Sequence, residues 1–169
     1  HSLYQKHRIP FDSVDAKELN VEIFTKIKSD AVEQTKILGK EKGECPDMKG
    51  TGKRNAHLLA IAPNANSSMI TGCSPSIEPH KANAYTHRTR AGSHLIKNRY
   101  LKEELKKLNL DTPEVWTSII TNGGSVQHLD FINDSIKEVF KTAIEIDQRV
   151  LIEQGGDRQR YLCQGQSLN

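Results

Sequence analysis

Aromatic residues are scarce in this 169-residue chain, at 5%, and cysteines number only three. Apolar residues reach 36%, which makes a thin core for this length but stays far above the disordered range. No apolar run approaches the roughly 18 residues that a membrane span needs, and the N-terminal stretch lacks the pattern of a signal peptide. Charge of one sign is lacking too: 24 Lys and Arg stand among 21 Asp and Glu, a net +3. So small an excess does not point to nucleic acid. Cys45, Cys73 and Cys163 form no CxxC pair and are odd in number. This excludes a disulfide scaffold and suggests free thiols in a reducing, cytoplasmic compartment. The chain begins at His1 and stops at Gln166-Ser167-Leu168-Asn169 without punctuation, so a single partial domain, residues 1–169, truncated at both ends, is expected.

What is present is mostly helical periodicity. Residues 1–12 read as an entry loop or short helix. Ser13 is placed to cap a long helix, with Asp15 in its first turn and apolar residues at Ile23, Phe24, Ile27, Ala31 and Leu38. Gly43 stops it. Cys45 to Gly52 read as a loop. His57–Ala62 is a short apolar run without helical period, the pattern of a buried strand. Pro63 ends it, and Met69–Thr71 reads as a helical turn closed at Gly72. Asn83–Arg88 and Ser93–Lys97 flank Arg90-Ala91-Gly92 as a β-hairpin. Helices are expected at Asn98–Leu108, from Thr112-Pro113 to Gly123-Gly124, and from Asp134 through Ala143, with a further one from about Asp147 to Gly155-Gly156. Tyr161-Leu162-Cys163 has strand character.

The most chemical stretch is Pro63-Asn64-Ala65-Asn66-Ser67-Ser68. Small residues at a helix start let an anion approach unpaired backbone N–H groups, and Ser hydroxyls can donate as well. A plain helix cap accounts for the same residues, and no Walker Gly-Lys-Ser/Thr is present. His80, His87 and His94 recur every seven residues below Cys73, which is not metal-ligand spacing, and no metal site is expected from them. A Cys73–His57 nucleophile pair is generic. The charges of Lys102–Lys107 suit a solvated helix face.

Lys53–Ile70, and within it Asn64–Ser68, resembles the phosphate-loop region of the large (catalytic) subunit of aerobic class I ribonucleoside-diphosphate reductases of bacterial and phage type. Ser74–Pro79, Leu95–Leu101, Gly124–Asp130, Lys141–Gln148 and Gln166–Asn169 continue the resemblance in order. It implies an α/β, helix-rich fold, the C-terminal part of a ten-stranded α/β barrel with a β-hairpin near 83–97. It implies reduction of ribonucleoside diphosphates to deoxyribonucleoside diphosphates by thiyl-radical chemistry, in the service of deoxyribonucleotide biosynthesis and DNA replication. The family's radical cysteine, reducing cysteine pair and tyrosine relay fall on no matching positions here, so no catalytic residue is assigned and the isolated chain is expected to be inactive. Residues carried over are Asn64, Ala65, Asn66, Ser67 and Ser68, as contacts to the substrate diphosphate. Many members have Thr or Ser where this chain has Asn64 and Asn66, a change to which backbone donors are indifferent. The segment itself is expected to bind no cofactor. The intact enzyme implies the remainder of the large subunit, a small radical-generating metal subunit and a thioredoxin-type reductant, with neither nucleic acid nor membrane as partner. The alternatives are a cobalamin-dependent reductase, or a non-catalytic binding or assembly fragment of a split subunit.

Overall fold

In the computed structural model, which describes residues 1–90 and 92–168, a short helix α1 (Ser2–Lys6) precedes the capping residue Ser13. Ser13 Oγ accepts the Ala16 N–H at 3.2 Å and donates to Pro10 O at 2.7 Å. The long helix that follows, α2 (Val14–Lys42), carries Asp15 in its first turn and Lys40 and Lys42 in its last, complementary to its dipole. Gly43, at φ +76°, ends it as expected.

By chain contacts the molecule divides into two compact units. The first comprises His1–Ala16 and Pro63–Val150, the second Lys17–Ala62 and Leu151–Asn169.

The second unit is built around α2 and α7 (Gln148–Gln159), each of which enters it from the first. Asn20 Nδ2 donates to Gln154 O at 3.2 Å, and the buried Arg158 donates to Asn20 Oδ1 and Gln166 Oε1. The loop after α2 contains a 3-10 turn at Pro46–Met48, and the Glu44 carboxylate accepts the N–H groups of Gly50 and Gly52. Residues 57–62, expected as a buried strand, are instead extended chain, with Leu58, Leu59 and Ile61 half-buried and the rest exposed. They meet the segment near 163–167, where Cys163 N–H donates to Leu59 O at 3.0 Å and Ile61 forms a parallel bridge with Gln166. An apolar run becomes a buried strand only when neighbours cover both its faces, and among the described residues the bridge of this one is to the short segment holding Gln166. Helix α7 does not stop at Gly155-Gly156 but runs through to Gln159. Gly155 is buried and its carbonyl accepts Gln166 Nε2 at 2.7 Å, so packing outweighs the low helix propensity of glycine.

In the first unit the expected hairpin is present. Strands β1 (Ala84–Thr89) and β2 (Gly92–Lys97) pair antiparallel, with His87 opposite His94. Three capped helices follow. Asn98 accepts the N–H groups of Tyr100 and Leu101 to start α4 (Arg99–Lys107), and Thr112 with Pro113 opens α5 (Pro113–Thr121). Asn133 Oδ1 accepts Ile136 N–H at 2.9 Å to start α6 (Asp134–Val139), which ends four residues short of the expected Ala143.

The core of this unit gathers Leu101 and Leu105 of α4, Trp116 and Ile119 of α5, Val126, Leu129, Ile132, Val139 and Phe140, all buried. The buried Asn83 ties the base of the hairpin to this core. Its Nδ2 donates to Gly124 O at 3.1 Å and Phe140 O at 2.7 Å, and its Oδ1 accepts from Asn98. Gly124, at φ +84°, must be glycine, because a Cβ there would overlap Ala82.

Asn133 is exposed, and its side chain serves the start of α6 rather than the core. Asn133→Ala is expected to lower unfolding free energy by about 1 kcal/mol. Urea melts of the two chains, read at equal slope, check this value.

Candidate functional site

The residues expected to hold phosphate form the first turn of a helix rather than a loop ahead of one. Helix α3 (Ala65–Thr71) begins four residues before the turn expected at Met69, and Gly72 closes it in the left-handed conformation at φ +64°. Asn64 occupies the N-cap position, but its side chain makes no capping hydrogen bond. Ala65, Asn66 and Ser67 are exposed, and their N–H groups, as the first three of the helix, have no acceptor within it.

The return segment fixes this turn. Asn64 N–H donates to Pro75 O at 2.8 Å, and Ser74 N–H donates to Ser2 Oγ at 2.7 Å. Glu78 is buried and exchanges hydrogen bonds with Ser76, whose Oγ donates to the carboxylate and accepts the Glu78 N–H. At the far end of the helix, Thr71 O accepts from Arg99 Nη1 at 3.5 Å.

The two serines face different surroundings. Ser67 is exposed, with its hydroxyl 3.5 Å from Asn64 O at the limit of a hydrogen bond. Ser68 is buried, its hydroxyl donates to Ala65 O at 2.8 Å and its N–H to Asn64 O at 2.9 Å. From Met48 to Ile77 the sequence holds no Asp or Glu, so no acidic side chain of this stretch opposes the positive end of α3.

The other candidates do not assemble. His87 and His94 are cross-strand partners, whereas His80 is half-buried and its Nε2 lies 3.2 Å from Ser2 Oγ. Burial pushes the His80 imidazole down to about 4. Among the described residues no three His, Cys, Asp or Glu side chains converge to hold a metal. Cys73 is exposed beside Thr71 Oγ1 at 2.9 Å. One arrangement escaped the sequence reading: Cys163 Sγ accepts from Lys28 Nζ at 3.1 Å across 135 residues, a contact with no local signal.

Known proteins bear on this geometry. The family described as "Ribonucleotide reductase, barrel domain" matches residues 46–169. A putative ribonucleoside-diphosphate reductase large subunit of Frog virus 3 is 60% identical over 98% of this chain and 29% of its own length. The ribonucleoside-diphosphate reductase large subunit of Invertebrate iridescent virus 6 is 46% identical over 100% of this chain and 18% of its own. Among solved structures, the class Id ribonucleotide reductase alpha subunit of Actinobacillus ureae superposes with a TM-score of 0.91 at 44% identity, covering all of this chain and 31% of that one. The chain therefore spans less than a third of each of these three proteins.

Proposed function

The chain belongs to the ribonucleotide reductase barrel-domain family, and on that premise we propose that it acts as part of a class I ribonucleoside-diphosphate reductase large subunit. Its contribution is to seat the diphosphate of the substrate on the first turn of α3. The observation that carries this assignment is the helix start at the exposed residues Ala65, Asn66 and Ser67, whose N–H groups are left uncapped by the Asn64 side chain. Ser67, exposed in the same turn, adds a hydroxyl. Asn64 and Asn66 offer amide donors where Thr or Ser is common in the family. Ser68, turned inward, takes part by fixing the Ala65 carbonyl and closing the turn.

Phosphate held there positions the ribose, and the hydrogen bonds of Asn64 and Ser74 keep the turn in place as the anion binds. The radical comes from a separate metal-bearing subunit and the electrons from a thioredoxin-type reductant, which makes that subunit, the rest of the large subunit and the ribonucleoside diphosphate the partners of this segment. A cytoplasmic enzyme supplying deoxyribonucleotides for DNA replication is the setting that this reading implies. The likeness to a class Id alpha subunit favours class I over a cobalamin-dependent relative.

The reading gives Cys45, Cys73 and Cys163 no part in turnover. The 169-residue chain mixed with ribonucleoside diphosphate, reductant and a radical-generating subunit is therefore expected to yield no deoxynucleotide. Chromatographic detection of deoxynucleotide above the enzyme-free background contradicts that division of roles.

A further inference from the structure

We propose that Cys163 and Lys28 form a redox-responsive couple, in which mild oxidation of the thiol leads to a reversible covalent bond between sulfur and the lysine nitrogen. The inference is independent of the phosphate-binding reading and rests on the second unit alone.

Two nucleophiles from distant parts of the chain meet here. Lys28 lies midway along α2, half-buried, and its Nζ donates to Cys163 Sγ at 3.1 Å. The thiol is itself half-buried and unpaired with any other cysteine. Leu58 N–H donates to the same sulfur at 3.4 Å, while Cys163's own N–H is committed to Leu59 O at 3.0 Å. The sulfur is thus fixed by the short pairing of residues 57–62 with 163–167 and receives donors from two elements. Donors directed at one sulfur favour the thiolate over the thiol. In keeping with that geometry, the Leu58 and Leu59 N–H groups and then the Lys28 ammonium hold the thiol down to about 7.

The chemistry follows in two balanced steps. A peroxide is the oxidant: the thiolate sulfur attacks one peroxide oxygen, the O–O bond breaks, and with one proton taken up the products are the sulfenic acid and water. The Lys28 ammonium then loses its proton and the free amine attacks the sulfenic sulfur. An S–N bond forms, the S–O bond breaks, and the hydroxyl leaves as a second water. Sulfur is oxidised by two electrons and the peroxide is reduced by two. A thiol reductant reverses the bond: its sulfur attacks Cys163 Sγ, the S–N bond breaks and the amine leaves with the thiol's proton, and a second thiol then cleaves the mixed disulfide to return the Cys163 thiol. Because Lys28 is already in contact with the sulfur, capture competes with further oxidation to the irreversible sulfinic acid. The bond would staple α2 to the chain segment following α7.

The test uses the full chain with Cys45→Ser and Cys73→Ser, leaving Cys163 as its single thiol. After brief hydrogen peroxide treatment and digestion without reductant, mass spectrometry is expected to show a cross-linked peptide pair. It should contain Lys28 and Cys163, weigh two hydrogens less than the sum of the two peptides, and vanish on treatment with dithiothreitol. Lys28→Arg keeps a cation beside the sulfur but lacks a competent amine, so the cross-link should be lost and sulfinic acid at Cys163 should rise severalfold. Circular dichroism of the variant, matching that of its parent, guards against misfolding. In a separate measurement, the iodoacetamide rate at Cys163 should reach half its plateau near pH 7 and fall severalfold at that pH in Lys28→Met. The proposal is overturned if peroxide takes Cys163 to sulfinic acid equally in both chains with no linked peptide, or if the sulfur remains unoxidised.

Discussion

Ser67→Asp, placed in an intact large subunit carrying this segment, is expected to weaken diphosphate binding roughly a hundredfold, or about 3 kcal/mol. The new carboxylate would stand on the exposed face of the first turn of α3, beside the N–H groups assigned to the phosphates. Like charge in a partly desolvated site costs several kcal/mol, because neither charge retains full hydration. A nucleoside without phosphates meets no such repulsion and should bind nearly as before. The folded state should be unharmed, since a carboxylate in the first turn of a helix suits its positive end. A helix start with no ligand therefore gives the opposite result, an acidic residue that is harmless or mildly stabilising. Calorimetric titration with diphosphate and with nucleoside, alongside the melting temperature, separates the two accounts.

Trp116→Ala is expected to cost about 3–5 kcal/mol of stability, a large share of the roughly 5–15 kcal/mol that holds a domain folded. The indole is fully buried among residues of α4, α5 and the segment 126–140. Its Nε1–H donates to Asp111 Oδ1 at 2.7 Å, holding that carboxyl below its usual range, and the Lys97 ammonium sits 4.7 Å from the ring centroid. Alanine removes the ring, the hydrogen bond and the cation's partner together. Trp116→Phe keeps most of the volume and should lose clearly less. With aromatics so scarce, few other large rings are available to fill the space. Denaturant melts followed by far-UV circular dichroism of both variants give the comparison, and near-equal midpoints would show that the cavity collapses without cost.

Local chemistry was legible wherever it acts over a few residues. Ser13, Gly43, Asn98, Thr112-Pro113 and Gly123-Gly124 marked helix ends, because caps are decided by neighbours in sequence, and the two strands of the hairpin pair as expected, Ala91 between them lying outside the described residues. The errors have tertiary causes. His57–Ala62 has the composition of a buried strand, but burial depends on partners that composition does not specify. Gly155-Gly156 reads as a stop signal, yet α7 continues because Gln166 and Leu168 pack against it. Phe140 is buried just past the end of α6 and contributes to the core from a turn, which a helical period cannot distinguish from another helical residue.

The candidate phosphate site could be read because its residues are contiguous. What the sequence did not disclose was that Ala65–Ser68 lie inside the helix, and that of the two serines one faces solvent and the other the backbone. The Lys28–Cys163 contact was invisible for the opposite reason: its members are 135 positions apart, and neither carries a distinguishing neighbour.

The most direct test of the central claim is a structure of the intact large subunit with a ribonucleoside diphosphate bound. The account predicts phosphate oxygens within hydrogen-bond distance of the N–H groups of Ala65, Asn66 and Ser67, with Ser67 Oγ turned away from Asn64 O toward the anion and Ser68 still donating to Ala65 O. A diphosphate bound elsewhere, with the first turn of α3 facing only water or protein, would contradict it.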